Sequence, residues 1–309
     1  MPIVVNSNVA ATQASFNLSK SNDALRKSLA RLSSGNRINT PADDAGGLAV
    51  AYKLDSKLSR TEATIQNSQN ALSMLQVQDG ALQTVGKILD RMAELRTMAA
   101  DITKNSGDIE NYSKEFNELQ SQIFQIQKQK FNGISIFSTT GSNTTSNGLN
   151  AATKDYNNGA ETYQGYSRTL YTAASGLSDD GSISINIVNL QFVTSVAGGN
   201  IGGFSGTGGA TYSAVTNITD ISIGAFVTAI EKLADMRAEN GAEQNRVMNS
   251  IGLLQTNMTN LEAAHGRIMD ADIALESTRF AKQNVLVQAG AAMTAQANQL
   301  TNVALQLLG

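Results

Sequence analysis

The segment Ser33–Val50, SSGNRINTPADDAGGLAV, decides how the chain is organised. Its residue types allow three readings: a glycine-punctuated cradle for phosphate, a carboxylate pair (Asp43, Asp44) for a metal, or a joint between two helices. Capping chemistry favours the joint. Gly35 suits the left-handed residue that closes a helix. Thr40, Pro41 and Asp43 suit the N-cap, the first helical position and the capping-box position of the next helix. Asp43 and Asp44 then face the positive helix amino end. Metal binding by the pair needs further ligands that the neighbouring residues do not supply.

Outward from the joint, both flanks carry helical seams. Before it, Leu18, Leu25 and Leu32 are spaced by seven with Leu29 between the last two, a heptad-like stripe. After it, Val85, Ile88, Met92, Leu95, Ala99 and Ile102 alternate gaps of three and four. After a break at Gly107, Ile109, Tyr112, Phe116, Leu119, Ile123 and Ile126 repeat that rhythm. A helix running from Asp43 to Thr103 would be about 90 Å long at the helical rise per residue.

The carboxyl flank answers with Val247, Ile251, Leu254, Met258, Leu261, His265 and Ile268, then Leu286, Met293, Leu300 and Leu307 spaced by seven. Narrow apolar seams of this kind make marginal helices when alone. They predict pairing between the two ends of the chain and with copies in other subunits. The expected fold is mainly α: a long antiparallel coiled-coil-like helical rod with a β-hairpin and a small β-rich insertion.

Between the flanks the period changes. GISIF puts Ile134 and Ile136 on one strand face, and GSISINIV does the same for Ile183, Ile185 and Ile187. A phase shift to Val188, Leu190 and Phe192 predicts a bulge or bend. Gly198–Gly209 reads as loop or irregular edge. The Ser/Thr density of this part makes its hydroxyls candidates for O-glycosylation.

Composition narrows the function classes. Lys+Arg 23 against Asp+Glu 26 gives a net charge of -3, so no strong field favours nucleic acid or an anionic membrane. With Cys 0, disulfides and thiolate metal sites are excluded. The amino terminus lacks the basic and apolar regions of a secretory signal, and no membrane insertion is expected. The single His265 falls on a helical seam and reads as a packed residue. Asp270, Asp272 and Glu276 lack the glycine and further oxygen ligands of a calcium loop, and read as a solvated or ion-paired helix face. No phosphate loop, zinc motif or nucleophile elbow is present. No catalytic residue, metal or cofactor is expected.

The flanks, Met1–Phe137 and Ile223–Gly309, resemble bacterial flagellins. The resemblance rests on LSSGNRINTPADDAGGLAV, on FNG at Phe131–Gly133, on RAENGAEQNR at Arg237–Arg246 and on DADIALESTRFAKQNVLVQAGAAMTAQANQ at Asp270–Gln299. It implies a subunit that polymerises with itself into the extracellular flagellar filament, the propeller of swimming motility. It further implies an inner coiled-coil layer of 1–39 plus 269–309, a helical rod with a β-hairpin of 40–137 plus 223–268, and an outward-facing variable part of 138–222. Subunit packing then falls on Leu18, Leu25, Leu29, Leu32, Leu286, Met293, Leu300 and Leu307, and the inter-layer joint on Arg37, Asp43 and Asp44.

Export through the flagellar type III apparatus without a cleaved signal is implied. So are an export chaperone, a filament cap and hook-associated proteins as partners. Thr301 stands where many flagellins have proline. Arg91, Leu95 and Glu115 match positions that vertebrate innate receptors contact in some flagellins; the alternative is a seam residue beside a salt bridge. Other functions weighed are a hook–filament junction protein, an enzyme displayed through the central insertion, and a coiled-coil scaffold unrelated to flagella. The first shares the end helices, and the last does not explain four ordered motifs.

Overall fold

The computed structural model describes residues 8–138, 150–156, 161–177, 179–196, 199–205, 211–212 and 217–308. Long helices dominate: α1 (Val9–Ser34), α2 (Ala45–Ala99), α3 (Ser106–Gln127), α5 (Ile223–Met269) and α6 (Ile273–Leu308), with a short α4 (Leu190–Thr194) between. The described residues form two compact units, Met1–Ser59 with Thr259–Gly309, and Arg60–Met258. The division falls within α2 and α5.

In the first unit, α1 and α6 pack antiparallel. Asn8 Nδ2 donates to the Ala297 carbonyl at 2.8 Å near one end, and Ser28 meets Glu276 near the other. The expected C-cap is present: Gly35 takes φ 73 and donates its N–H to the Arg31 carbonyl at 2.9 Å. The start of α2 differs from expectation. The helix begins at Ala45, and Asp44 Oδ1 accepts the Gly47 N–H at 2.8 Å, so Asp44 rather than Thr40 is the N-cap. Residues 41–43 form a turn closed by the Asp43 N–H on the Thr40 carbonyl at 3.0 Å. Gly47 suits this start, because a Cβ would push the Asp44 carboxylate from its capping position and press on Ile38.

The second unit has a core built from the predicted seams of α2 and α3. Val85, Ile88, Met92, Leu95, Phe116 and Ile123 are buried against Phe226, Ala229, Leu233 and Met236 of α5. Phe116 and Phe226 meet edge to face, their centroids 6.1 Å apart. Ile102 does not continue the seam. It is 100% exposed, because α2 ends at Ala99 and a turn leads to the Asn105 capping box of α3.

The β-rich part packs on the same helices. β1 (Lys130–Phe131) and β2 (Ile134–Ser135) form a hairpin whose turn has positive φ at both Asn132 (49) and Gly133 (78), the geometry that favours Asn-Gly. Ile134 and Ile136 do not share a face: Ile134 is exposed, while Ile136 is buried outside the two-residue strand. The following four-stranded sheet has the order β3 (Phe137–Ser138), β6 (Ser182–Asn189), β5 (Glu161–Tyr171), β4 (Asn150–Tyr156). Ile183, Ile185 and Ile187 are buried as expected. The phase shift after them is a turn of helix, α4, whose N-cap Asn189 accepts the Phe192 N–H at 3.2 Å. Of the glycine run 198–209, residues 199–205 are described and the rest lie outside the described residues.

Candidate assembly surfaces

The α1/α6 seam is narrow and small-sided. On α1 the shielded positions include Ala14, Leu18, Ser21, Leu25, Ser28 and Leu32, with Asn22 and Arg31 at the margin, and on α6 they are Glu276, Phe280, Gln283, Val287, Gly290, Thr294 and Ala297. Leucines thus alternate with Ala or Ser along α1. The Gly290 backbone admits Leu18: a Cβ there would lie 3.3 Å from Leu18 Cδ1 and 3.6 Å from its Cβ. Small residues allow such close approach, while Leu286 and Met293 of α6 are turned elsewhere.

Leu18, Leu25 and Leu32 lie on this seam, but Leu29 is 56% exposed, because Ser28 holds the intermediate heptad position. Leu286 and Met293 are 43% and 65% exposed, so their seven-residue stripe is a second face that α1 does not cover. Val285 and, on α1, Val9 and Phe16 add exposed apolar surface. α6 also carries Leu300 and Leu307, whose side chains lie outside the described residues.

The joint pairs the two helix breaks of this unit. The Arg37 N–H donates to the Met269 carbonyl at 2.6 Å, and the Ala271 N–H to the Gly35 carbonyl at 2.9 Å. Arg37 Nη2 and Nε reach the Ile268 carbonyl at 2.8 and 3.2 Å, at a helix carboxyl end where a cation is favoured. Asp43 accepts from Lys27, at 2.5 Å, and from the Asn39 and Thr40 N–H groups. The Lys27 ammonium, with these N–H donors, holds its carboxyl far below the usual carboxylate range. Arg37 and Asp43 therefore bind the joint, and Asp44 starts α2.

Of the acidic trio at the second break, Asp272 caps α6 by accepting the Leu275 N–H at 3.0 Å. Glu276 is buried. It accepts the Ser28 hydroxyl at 2.6 Å, Arg279 at 3.3 Å and lies 3.8 Å from Arg31. Sequence reading missed this clasp. Strict heptad phase would have placed Ser28 on the seam, since it lies three residues from Leu25 and four from Leu32.

In the second unit, Arg91 donates to Glu115 at 2.8 Å and to Glu94 at 3.0 Å, and all three side chains are exposed. Arg91 and Glu94 border a surface hollow with Asp90, Thr97 and Met98. Leu95 is fully buried. Among the described residues, no group of three or more His, Asp or Glu is arranged to hold a metal ion. No described helix is long and apolar enough to cross a membrane.

With this geometry in view, comparison with known proteins is specific. Residues 5–144 match the bacterial flagellin N-terminal helical region, and residues 223–308 match the bacterial flagellin C-terminal helical region. The chain is 34% identical over 312 residues to the flagellin of Bacillus subtilis, covering 98% of this chain and 99% of that one. It is 31% identical over 311 residues to the flagellar filament 33 kDa core protein of Treponema phagedenis, covering 99% and 100%. In fold it is similar to a solved structure from Vibrio parahaemolyticus described as flagellar hook-associated, with a TM-score of 0.53 at 17% identity, covering 74% of this chain and 100% of that one.

Proposed function

The chain belongs to the bacterial flagellin family, and from that premise we propose how its surfaces serve assembly. The protein is a structural subunit that polymerises with copies of itself into the flagellar filament, outside the cell. The observation that carries the assembly reading is the second stripe of α6. One stripe pairs with α1, while Leu286 and Met293 remain exposed in a single chain. Burying such residues against neighbouring copies is favourable by roughly 25 cal/mol per Å² of apolar surface. A head-to-tail contact that does not close on itself generates a helical fibre. The likeness to the Vibrio protein carries fold alone and does not favour a hook–filament junction role.

The three-layer arrangement follows the family: 1–39 with 269–309 inside, 40–137 with 223–268 as the rod, and 138–222 outward. Arg37, Asp43 and Asp44 then join the first two layers. Leu18, Leu25 and Leu32 support assembly by holding α1 on α6. Leu29, Leu286, Met293, Leu300 and Leu307 meet other subunits. Removing Leu286–Gly309 should abolish seeded polymerisation while the second unit keeps its helical circular dichroism. Filaments formed by the truncated chain would overturn this assignment, and a full-length chain that stays monomeric on seeds would count against filament growth itself.

Family membership also supports passage through the flagellar type III apparatus with an export chaperone, and contacts with the filament cap and hook-associated proteins. A strain lacking that export apparatus should retain the protein inside the cell. Recognition by a host innate receptor, if built on this surface, uses Arg91 and Glu115, since Leu95 is shielded in the core. Receptor signalling should then fall in the Arg91→Ala variant and stay unchanged if the pair is only structural.

A further inference from the structure

Lys154 of β4 and Asn186 of β6 come together although β5 lies between their strands. Lys154 is opposite Tyr163 of β5, and Asn186 is opposite Ser167. Side chains alternate along a strand, so positions 163, 165 and 167 share one face of β5, and Lys154 and Asn186 project from that same face. The residue between, at 165, is glycine. A Cβ there would lie 2.8 Å from Cγ and Cδ of Lys154 and 3.1 Å from its Cε. The lysine stem therefore crosses β5 over Gly165, on a path that a side chain at 165 would obstruct.

Glu239 of α5 closes the remaining gap. One carboxylate oxygen pairs with Lys154 Nζ, and the other accepts Asn186 Nδ2 at 2.8 Å. Amine and amide are thus one carboxylate apart. The buried Glu243, one turn further along α5, accepts the Asn186 backbone N–H on both oxygens, at 3.0 and 2.9 Å, and fixes β6 at this point. Asn186 Oδ1 is buried and, among the described residues, has no hydrogen-bond partner. An amide held this firmly with its carbonyl oxygen unpaired calls for a reason. The packing along β6 is apolar, with Leu75 of α2 and Val247 of α5 against Ile183 and Ile185.

We propose that Lys154 and Asn186 join in a self-catalysed amide bond between Nζ and Cγ, with Glu239 as the proton carrier. A neutral lysine amine is a nucleophile, and a carboxylate in hydrogen-bond contact with it serves as its general base. Glu239 takes a proton from the Lys154 ammonium through one oxygen. The freed lone pair attacks Asn186 Cγ, and the carbonyl π pair moves onto Oδ1. Glu239 delivers the proton through its other oxygen to Nδ2. The Cγ–Nδ2 bond breaks as Oδ1 re-forms the carbonyl, and a second proton from the attacking nitrogen follows the same route, so that the leaving nitrogen departs as ammonium. Ammonium plus amide gives amide plus ammonium; charge and electrons balance with no oxidant or further reactant. The Lys154 and Glu239 side chains are partly exposed, which leaves the ammonium a way out, and its dilution drives the step forward. The bond ties β4, the outer strand of the sheet, to β6 across β5.

The test is mass spectrometry of the purified full-length chain after tryptic digestion. The segments containing Lys154 and Asn186 should appear as one linked peptide, lighter by one ammonia than the two together. The linked peptide should be absent in Lys154→Arg, which keeps the charge, and reduced at least about a hundredfold in Glu239→Gln, which keeps hydrogen-bonding groups but cannot carry the proton. Circular dichroism checks that both variants keep their helices. Separate peptides in the unaltered chain would overturn the bond, whatever the variants do. Linkage in Glu239→Gln to the unaltered extent would overturn the role given to Glu239.

Discussion

Ser28 of α1 gives its hydroxyl hydrogen to the buried Glu276 carboxylate of α6 at 2.6 Å, and this bond lies in the seam between the two helices. Arg31 and Arg279 share the same carboxylate. A buried charge is tolerated when its partners are in place and costly when one is removed.

Glu276→Ala should therefore weaken the α1/α6 pair more than Ser28→Ala does. Loss of the hydroxyl costs about 1–2 kcal/mol, and loss of the carboxylate leaves the shielded Arg31 and the buried Ser28 hydroxyl without it at somewhat greater cost, while Arg279 turns to water. The critical concentration for polymerisation should rise on the order of tenfold in Glu276→Ala. An unchanged critical concentration would show that the clasp does not support assembly.

The approach of Gly290 to Leu18 offers a covalent check in a chain with Cys 0. The Cβ separation of 3.6 Å lies within the disulfide range. The double variant Leu18→Cys/Gly290→Cys should form an intramolecular bridge under mild oxidation, read as a mobility shift reversed by reductant. Leu29→Cys/Gly290→Cys should not bridge within one chain, because Leu29 faces away from the seam.

The start of α2 distinguishes two capping assignments. Asp44→Ala should lower stability by about 1 kcal/mol, as loss of an N-cap does. Thr40→Ala, outside the helix, should stay within about 0.5 kcal/mol. Thermal unfolding of the two variants measures the difference, and the reverse order would restore Thr40 as the cap.

The Asp43 carboxylate gives the joint a pH limit. Its docked value is lowered, so its stabilising contribution is present above the ordinary 3.8 and is lost only as pH falls into strongly acid solution. Asp43→Asn should loosen the joint already at neutral pH, read as faster exchange of the Thr40 amide, and raised salt should matter less in that variant. Equal exchange in the two proteins would mean that the Lys27–Asp43 pair holds nothing.

Much of this architecture was legible in the residues. The Leu18, Leu25 and Leu32 period, the Gly35 cap, the α2 and α3 core and the alternation of Ile183, Ile185 and Ile187 needed no coordinates. Three features did. Leu29 left the seam to Ser28, Asp44 displaced Thr40 as cap, and the Asn186–Glu243 bond came from residues with no shared motif.

By itself the sequence determined the helical periods, the helix stops and the family, because these depend on the spacing and conformational preference of neighbouring residues. Only the tertiary structure decided which of the two stripes on α6 meets α1, and which carboxylates are sealed from water. Periodicity sets the phase of a stripe around its own axis. The face that pairs is chosen by how closely two backbones can approach, here where Gly290 admits Leu18.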